Sequence, residues 1–247
     1  MNKEIILDIV NWIKDYINSA NAKGVVLGMS GGKDSLIVCK LCTMALGENN
    51  VLGVIMPNGE MIDYTDAKRT CELLGIKHFV VNINDVYSNL LNKTNEVIKD
   101  YNTEINDVTK INTAPRIRMT LLYSIAGSLN YLVANTSNLS EILTGYSTKW
   151  GDNVGDFAPL ANFTKTEVCK IGELLDLPYD LVYKIPSDGL SGKSDEDKMG
   201  ISYKNLDEYI RTGKNNKDVE KIKKLNKISY HKRKGVIKYE NKLKSFL

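Results

Sequence analysis

The feature that most constrains how this chain can fold is a regular alternation of short apolar runs with longer amphipathic segments. A continuous apolar run of about four to eight residues between turn signals is typical of a strand buried on both faces. Five runs have this form, at 24–29, 51–56, 78–83, 131–134 and 157–160. Because helical patterns separate them, the sequence predicts an α/β fold: a doubly wound, parallel five-stranded sheet with helices on both faces.

The length and composition favour a single cytoplasmic domain. The 247 residues are 43% hydrophobic, and neither a repeat nor a Pro- or Ser-rich linker divides them, so we expect one domain over 1–247. No stretch approaches the ~20 apolar residues of a membrane span, and because of the charges among the first nine residues we expect no signal-peptide apolar region there. A non-secreted chain of this size needs no disulfides, so its four cysteines are expected to be free thiols.

Charge is distributed unevenly along the chain. Residues 211–247 carry 13 Lys and Arg against 3 Asp and Glu, whereas residues 1–210 carry 20 against 27. We therefore expect a helical, basic C-terminal segment over 202–247, which either forms an ordinary solvated face or meets an anionic ligand. The 28 lysines against 5 arginines do not suggest a nucleic-acid surface, and we expect neither nucleic acid nor a membrane as a partner.

A glycine-rich turn follows the first predicted strand and precedes a helix. Its residues are Gly28, Met29, Ser30, Gly31, Gly32, Lys33, Asp34 and Ser35. Such a turn exposes backbone N–H groups at the positive end of a helix dipole, and its glycines let an oxyanion approach closely, so phosphate is the natural ligand. The spacing fits neither a Walker A loop nor a dinucleotide fingerprint. Asp34 beside phosphate makes sense if it binds Mg²⁺; the alternative is a plain strand–helix turn that Asp34 caps.

This turn resembles the pyrophosphate-binding loop of the N-type ATP pyrophosphatases, which cleave ATP between the α and β phosphates to form an adenylate. That superfamily includes NAD, GMP and asparagine synthetases and tRNA-thiolating enzymes, and the loop does not choose among them. The second half of the chain does, because a series of motifs there looks like the ammonia-dependent NAD synthetases. These motifs lie at 116–123, 135–141, 144–152, 156, 159, 164–166, 186–187, 195–196, 200–203 and 231–233. The resemblance extends from about residue 5 to about residue 235.

The resemblance implies a reaction. A ligase would adenylate the nicotinate carboxylate of deamido-NAD with ATP and Mg²⁺, and ammonia would then displace AMP to give NAD, with pyrophosphate as the other product. The resemblance also implies an adenine-nucleotide-hydrolase-like fold and a homodimer that binds deamido-NAD near the subunit interface. Because no glutaminase domain precedes the glycine-rich turn, we expect either free ammonia or ammonia supplied by a separate partner as the nitrogen source.

The resemblance assigns site residues position by position. Asp34 and Glu141 would bind Mg²⁺, and the catalytic residues would be Asp34, Lys165 and Lys149. Contacts to ATP would come from residues 28–35, Thr136, Lys165 and Ser187. Contacts to deamido-NAD would come from Arg116, Lys149, Asp156, His231 and Lys232. The loop 148–156 is expected to be mobile and to shield the adenylate from water.

Some positions depart from the family pattern, and two other functions stay open on the sequence alone. Lys33 stands where Gln, Ile or Val is usual, residues 55–57 lack an Arg, and the acid after Ser187 is displaced by one residue. A tRNA-modifying, thiolation-type pyrophosphatase could use Cys39 and Cys42 with the basic segment, although their mid-helix spacing favours packing. A non-catalytic sensor would bind ATP without turnover.

Overall fold

The computed structural model describes residues 2–184 and 194–239. These residues form the strands β1 (Gly24–Gly28), β2 (Val51–Ile55), β3 (Lys77–Val80) and β4 (Tyr131–Val133). They also form the helices α1 (Glu4–Ser19), α2 (Lys33–Leu46), α3 (Tyr64–Leu73), α4 (Asn84–Ile98), α5 (Asp107–Leu129), α6 (Leu139–Thr144), α7 (Lys165–Leu174), α8 (Tyr179–Val182), α9 (Asp195–Met199), α10 (Tyr203–Thr212), α11 (Val219–Ile228) and α12 (Tyr230–Arg233). None of these helices is long and apolar enough to cross a membrane.

Side chains of β1, β2 and β4 alternate between two apolar layers, one on each face of the sheet, whereas the edge strand β3 is mostly exposed rather than buried as its apolar run predicts. On one face, Val25 and Leu27 pack in a core with α1, α2 and α7. On the other face, Val26 packs with residues of α5. The alternation follows the period of two of an extended strand, and burial on both faces explains the apolar runs of β1 and β2. The predicted parallel α/β sheet, covered by helices on both faces, is confirmed.

The predicted fifth strand does not form among the described residues, so the sheet has four strands rather than five. One parallel bridge joins Phe157 to the residue that follows β4. Two local features limit further pairing. The Asp156 carboxylate accepts the Val133 N–H at 2.7 Å, where a paired strand would offer a carbonyl, and Pro159 has no N–H to donate.

Helix α5 begins earlier than its pattern indicates. The sequence predicts a polar loop over 100–111 and a helix from 114, but the helix starts at Asp107. Asn106 caps it, since its side chain accepts the Thr109 N–H at 2.9 Å. Pro115 consequently lies inside the helix. The first turns are largely exposed and carry no stripe of core residues, which is why the apolar period misses them.

The helices after residue 194 share a third apolar cluster and contact the helices that follow β4. Met199, Ile201, Leu206 and Ile222 form this cluster together with Tyr203. Helix α10 contacts both α6 and α7, and α11 contacts α6. This region carries much of the positive charge of the chain, and its helices lie against two helices that begin near the carboxyl edge of the sheet.

The sheet order brings two distant loops together. The strands pair in parallel in the order β3-β2-β1-β4. The chain leaves β1 toward β2 on one side and returns to β4 on the other side, so the loops after β1 and β4 meet at the carboxyl edge. Open α/β sheets bind their ligands at such a point.

Candidate active site

The glycine-rich turn runs from the end of β1 into the first turn of α2. The Met29 N–H still donates to the Val54 carbonyl at 2.9 Å, so the turn leaves the sheet only after Met29. Gly31 has a φ of +78°, and a Cβ there would lie 2.4 Å from the Asp63 carbonyl oxygen. Glycine is required at this position because the backbone is left-handed and another backbone approaches too closely for a side chain.

Two serine hydroxyls brace the turn. Ser30 Oγ accepts the Gly32 N–H at 3.2 Å and lies 3.2 Å from Ser35 Oγ. Ser35 Oγ donates to the Gly32 carbonyl at 2.9 Å. The turn is therefore preorganised at the N-terminus of α2, where free N–H groups and the helix dipole favour an anion.

Asp34, Glu141 and Lys165 meet beside this turn, each from the first turn of a different helix. Lys165 Nζ lies 2.7 Å from Asp34 Oδ2 and 2.9 Å from Glu141 Oε1. The three residues belong to α2, α6 and α7, so three helix N-termini converge. Their side chains are only 16%, 17% and 6% exposed, in the order named. The positive ends of three helix dipoles near one point favour an anion such as polyphosphate there.

Asn138 connects the two carboxylates. Its Nδ2 donates to Asp34 Oδ1 at 2.9 Å, and its Oδ1 accepts the Glu141 N–H at 3.1 Å. The Glu141 carboxylate in turn accepts the Asn138 N–H at 3.3 Å, which completes a capping box at the start of α6. Asn138 is fully buried. It has no role in the residue assignments above, although an Asn-x-x-Glu spacing at a helix start is a capping signal.

Burial and neighbouring charges shift the pKa values of Glu141 and Lys165. Burial raises the pKa of Glu141 from its usual 4.5 to about 7, while Lys165 acts in the opposite direction and Asp34 adds to the rise. Burial by itself lowers the pKa of Lys165, but attraction from Asp34 and Glu141 outweighs it and raises that pKa well above its ordinary value. Lys165 is therefore charged at neutral pH, and the Tyr203 ring centroid lies 5.4 Å from its Nζ.

Asp34 and Glu141 converge on one cation, as a pair of metal ligands would. Within residues 2–184 and 194–239, no group of three or more His, Cys, Asp or Glu could hold a metal ion. Two carboxylates nevertheless suit Mg²⁺, which usually takes one or two from the protein and completes its shell with phosphate oxygens and waters. The donor set therefore fits a hard divalent cation beside a phosphate.

Lys33 lies beneath the turn rather than on its surface. It is 7% exposed, and its Nζ contacts Cys169 Sγ of α7 at 3.8 Å. Burial lowers the pKa of Lys33, while the charges of Cys169 and Asp34 favour its ammonium form. Burial likewise raises the pKa of Cys169, against the influence of Lys33. Lys33 is thus a largely buried lysine within the glycine-rich turn.

Arg116 and Lys149, which the resemblance assigns to the substrate, are neighbours. Arg116 Nε donates to the Lys149 carbonyl at 3.2 Å. Lys149 Nζ lies 5.3 Å from the centroid of the Trp150 ring. Arg116 and Trp150 are exposed, so two cations and an aromatic ring stand together at the surface, a combination that suits a nucleotide.

The loop 148–156 is tied to the end of β4. Asn135 Nδ2 donates to the carbonyls of Asp152 at 2.9 Å and Val154 at 3.2 Å. The Thr148 N–H donates to Asp152 Oδ1 at 2.6 Å. The loop therefore has a defined shape against the strand end that faces the glycine-rich turn.

A cavity of about 440 Å³ lies between this loop and α12. Asp156 and Lys232, both assigned to deamido-NAD, line it together with Ser137. The Asp156 carboxylate is oriented by two donors, the Tyr123 hydroxyl at 3.2 Å and the Val133 N–H at 2.7 Å. The cavity lining thus includes both an oriented carboxylate and a lysine.

Two of the residues assigned to deamido-NAD, His231 and Lys232, are neighbours in α12. Lys232 Nζ donates to the carbonyls of Gly145 and Ser147 at 2.8 and 2.7 Å, and burial lowers its pKa. His231 beside it is exposed. Thr136 lies three residues after the end of β4 and is half-buried. Ser187 lies outside the described residues, so its assignment stays a prediction.

Comparisons with known proteins cover nearly the whole chain. The family model described as NAD synthase matches residues 5–244. The NH3-dependent NAD+ synthetase of Thermococcus sibiricus is 45% identical over 208 residues, which cover 84% of this chain and 79% of that protein. The protein of the same name from Pyrococcus furiosus is 41% identical over 248 residues, which cover 94% and 92%.

A solved structure extends these matches to the fold. The NMN synthetase from Francisella tularensis superposes with a TM-score of 0.89 at 33% identity, over 97% of this chain and 98% of that one. The similarity therefore extends over nearly the whole fold.

Proposed function

The chain belongs to the NAD synthase family, and we propose from that premise that it is an ammonia-dependent NAD synthetase, a ligase that forms a C–N bond. In the first step, the nicotinate carboxylate of deamido-NAD attacks the α-phosphorus of ATP, and pyrophosphate leaves. In the second step, ammonia attacks the carbonyl carbon of the adenylate, loses a proton, and AMP leaves. The first step turns a poor leaving group into a good one.

One observation carries this proposal: the Lys165 ammonium lies between the carboxylates of Asp34 and Glu141 beside the glycine-rich turn. Negative charge develops on the β,γ-pyrophosphate as its bond to the α-phosphorus breaks. The N–H groups of residues 28–35 bind that fragment, and Lys165 neutralises its charge in a largely buried site, where such electrostatic stabilisation is strongest. Thr136 and Ser187 would complete the contacts to ATP.

Asp34 and Glu141 would hold Mg²⁺, which, when bound, neutralises phosphate charge and helps the pyrophosphate to leave. Lys165 keeps both carboxylates paired in the free protein, so neither is left as an isolated buried charge. Asn138 fixes the positions of the two carboxylates relative to each other, because it hydrogen-bonds the side chain of Asp34 and the backbone of Glu141.

Deamido-NAD would bind along the 440 Å³ cavity and the surface next to it. Arg116 and Lys149 would meet its phosphates, since a guanidinium binds phosphate oxygens in pairs. Asp156 is already oriented to accept hydrogen bonds from ribose or ring groups. His231 and Lys232 would close the cavity from the C-terminal side.

The second step requires that ammonia reach the adenylate while water does not. The loop 148–156 lies over the end of β4 next to the cavity, and we propose that it excludes water from the acyl carbon. Lys149, in this loop, would orient the adenylate. The four free cysteines are consistent with a reducing compartment, and we expect the protein to act in the cytoplasm.

A homodimer would cover an apolar face that the single chain leaves open. No residue of α4 is buried. Val86, Leu90 and Val97 share one face of α4 and are exposed, as is Val108 in α5. Contiguous exposed apolar surface marks an interaction site. Arg116 belongs to the same α5, so a second subunit docked here would stand close to the bound dinucleotide.

The rival tRNA-thiolating function loses its main support. Cys39 and Cys42 are fully buried in the core. Burial raises the pKa of Cys42 to about 12 and also raises that of Cys39. Buried, protonated thiols are poor nucleophiles and are not accessible to RNA.

A second candidate function is NMN synthesis, in which the same chemistry would amidate the nicotinate mononucleotide. The superposition with an NMN synthetase at a TM-score of 0.89 favours considering it. The two functions share the adenylation site and differ in whether the adenylyl half of a dinucleotide is bound. Comparison of kcat/KM for deamido-NAD and for the mononucleotide decides between them.

The test of the proposed function is a product assay on the purified protein. With deamido-NAD, ATP, Mg²⁺ and NH4⁺, we expect NAD, AMP and pyrophosphate in equal amounts. Asp34→Ala should abolish all three products. Release of ADP, turnover without deamido-NAD, or ATP binding with no turnover would contradict the proposal.

A further inference from the structure

Helix α10 presents one stripe of side chains to the region around Lys165. Tyr203, Asp207 and Arg211 stand four residues apart and therefore share one face of the helix. The Tyr203 ring covers the Lys165 ammonium, and Arg211 Nε donates to Glu167 Oε1 in α7 at 2.7 Å. The roles proposed above include none of these three residues.

The Asp207 carboxylate is the centre of this stripe and is 6% exposed. Its Oδ1 accepts the Ser140 hydroxyl at 2.6 Å. Its Oδ2 accepts the Thr166 N–H at 2.7 Å and also the Thr166 hydroxyl. A buried carboxylate is tolerated only where several donors compensate it, and all three groups here donate. Every one of these hydrogen bonds is therefore donated to Asp207, whose carboxylate acts only as an acceptor.

This hydrogen-bond network fixes the backbone amides on both sides of the Lys165 Cα. The Lys165 N–H donates to Ser140 Oγ at 3.0 Å, the same hydroxyl that donates to Asp207. The next amide, that of Thr166, bonds Asp207 directly. Ser140 immediately precedes Glu141, so one carboxylate restrains the backbone beside both Lys165 and its ion-pair partner.

We infer that α10 positions Lys165 for the adenylation step, with Asp207 restraining its backbone and Tyr203 its ammonium. This inference rests on the proposed function, because it concerns the step in which Lys165 acts. Both residues are positioning residues, since they act through Lys165. A lysine ammonium on a flexible stem must be held in place to meet one developing charge, and small misplacement of a charged group is costly to rate.

A double-mutant cycle tests this inference in single-turnover pyrophosphate release, without ammonia. Asp207→Asn places an amide donor against groups that already donate, and we expect it to slow release about 10–100-fold, the usual effect of losing a supporting hydrogen-bond partner. The KM for deamido-NAD should stay unchanged. In a Lys165→Gln background, the same substitution should change the rate by less than about twofold, because the group it positions is gone.

Matched variants separate positioning from stability. Tyr203→Leu removes the ring and should slow release, whereas Tyr203→Phe keeps the ring and should restore most of the rate. Arg211→Gln removes a contact from the same stripe to α7 and should lower the melting temperature without changing the rate. If Asp207→Asn does not fold, Ser140→Ala replaces it in the cycle.

The inference is overturned if Asp207→Asn reduces the rate by the same factor with and without Lys165, or leaves the wild-type rate unchanged. Equal rates for the Tyr203→Leu and Tyr203→Phe proteins would remove the role of the ring. Wild-type formation of AMP and pyrophosphate is measured first, so a failure of the proposed function is recognised separately from a failure of the positioning role.

Discussion

Lys165 Nζ lies 2.7 Å from Asp34 Oδ2, although 131 positions separate the two residues in the chain. Asp34 is held by the glycine-rich turn after β1, and Lys165 opens α7 behind the cap of Thr164. Glu141 of α6 is the third member of the group, with its Oε1 2.9 Å from Lys165 Nζ. The glycine-rich turn is thereby joined by a lysine ammonium and two carboxylates whose donor set suits a metal.

Removal of the Lys165 charge should abolish most of the adenylation rate. We expect Lys165→Met to slow pyrophosphate release at least about 100-fold, the effect typical of losing one preorganised electrostatic group. Lys170→Met, which changes an exposed lysine of the same helix, should leave the rate near that of the wild type. A Lys165→Met protein with normal pyrophosphate release would contradict the assignment.

Asn138 should matter for both stability and rate. Asn138→Ala removes the cap of α6, which costs about 0.5–2 kcal/mol of stability, and frees the Asp34 carboxylate that the amide holds. Asn138→Ala should therefore lower both the rate of pyrophosphate release and the free energy of unfolding. Asn106→Ala removes the cap of α5 away from the site and should lower stability without a loss of rate. Equal kinetic effects of the two variants would show that Asn138 acts only as a cap.

Glu141 should give the first step a pH dependence. Because burial raises its pKa to about 7, the carboxyl is mostly protonated at about pH 6 and mostly ionised at about pH 8. Binding of Mg²⁺ needs the ionised form, so kcat/KM for ATP in pyrophosphate release should rise through about pH 7. Glu141→Gln should lose this rise. Ammonia is omitted so that its own titration does not contribute, and identical profiles for the two proteins would refute the prediction.

The same pKa has a consequence for stability. The folded protein holds the Glu141 proton more tightly than the unfolded chain does, so this group's contribution to the free energy of unfolding is fully present below about pH 4.5. It is lost as the pH rises through about 7. Urea unfolding of wild type and Glu141→Gln across this range measures it. The difference between the two proteins should shift against the wild type as the pH increases.

Gly31→Ala should distort the glycine-rich turn and so test whether this turn binds ATP. The substitution forces a side chain into a left-handed backbone, which costs about 1–2 kcal/mol, and places its Cβ against the Asp63 carbonyl. We expect the KM for ATP to rise at least about tenfold as the turn shifts. Gly47→Ala has a similar φ of +79° but open space around it, so it should cost stability alone. An unchanged KM in Gly31→Ala would show that the turn does not bind ATP.

The exposed face of α4 should control assembly. Leu90→Glu places a charge in the proposed interface, and we expect the protein to sediment as a monomer at micromolar concentration, with reduced NAD formation. Asn92→Glu adds the same charge on a different face of α4 and should leave the dimer intact. A wild-type protein that is already monomeric under these conditions would exclude the proposed dimer.

Local patterns predicted most of the fold. The four strands that form lie close to four of the five predicted apolar runs, and burial explains the pattern best for β1 and β2. The prediction of a fifth strand was wrong because the Asp156 side chain accepts the Val133 N–H, which a fifth strand would otherwise pair with. The start of α5 was missed because its first turns bury little. A single domain over 1–247 stays a prediction.

For the site, the sequence by itself determined the glycine-rich turn, since its chemistry lies in eight consecutive residues, and family motifs identified Glu141 and Lys165. Only the tertiary structure decided that three helix N-termini meet there, that Asn138 joins the carboxylates, and that α10 lies against Lys165. A hydrogen bond such as the one between Ser140 and Asp207, 67 residues apart, leaves no periodic trace in either segment. Such contacts arise from the way the packed sheet orders its loops, so they appear only once the chain has folded.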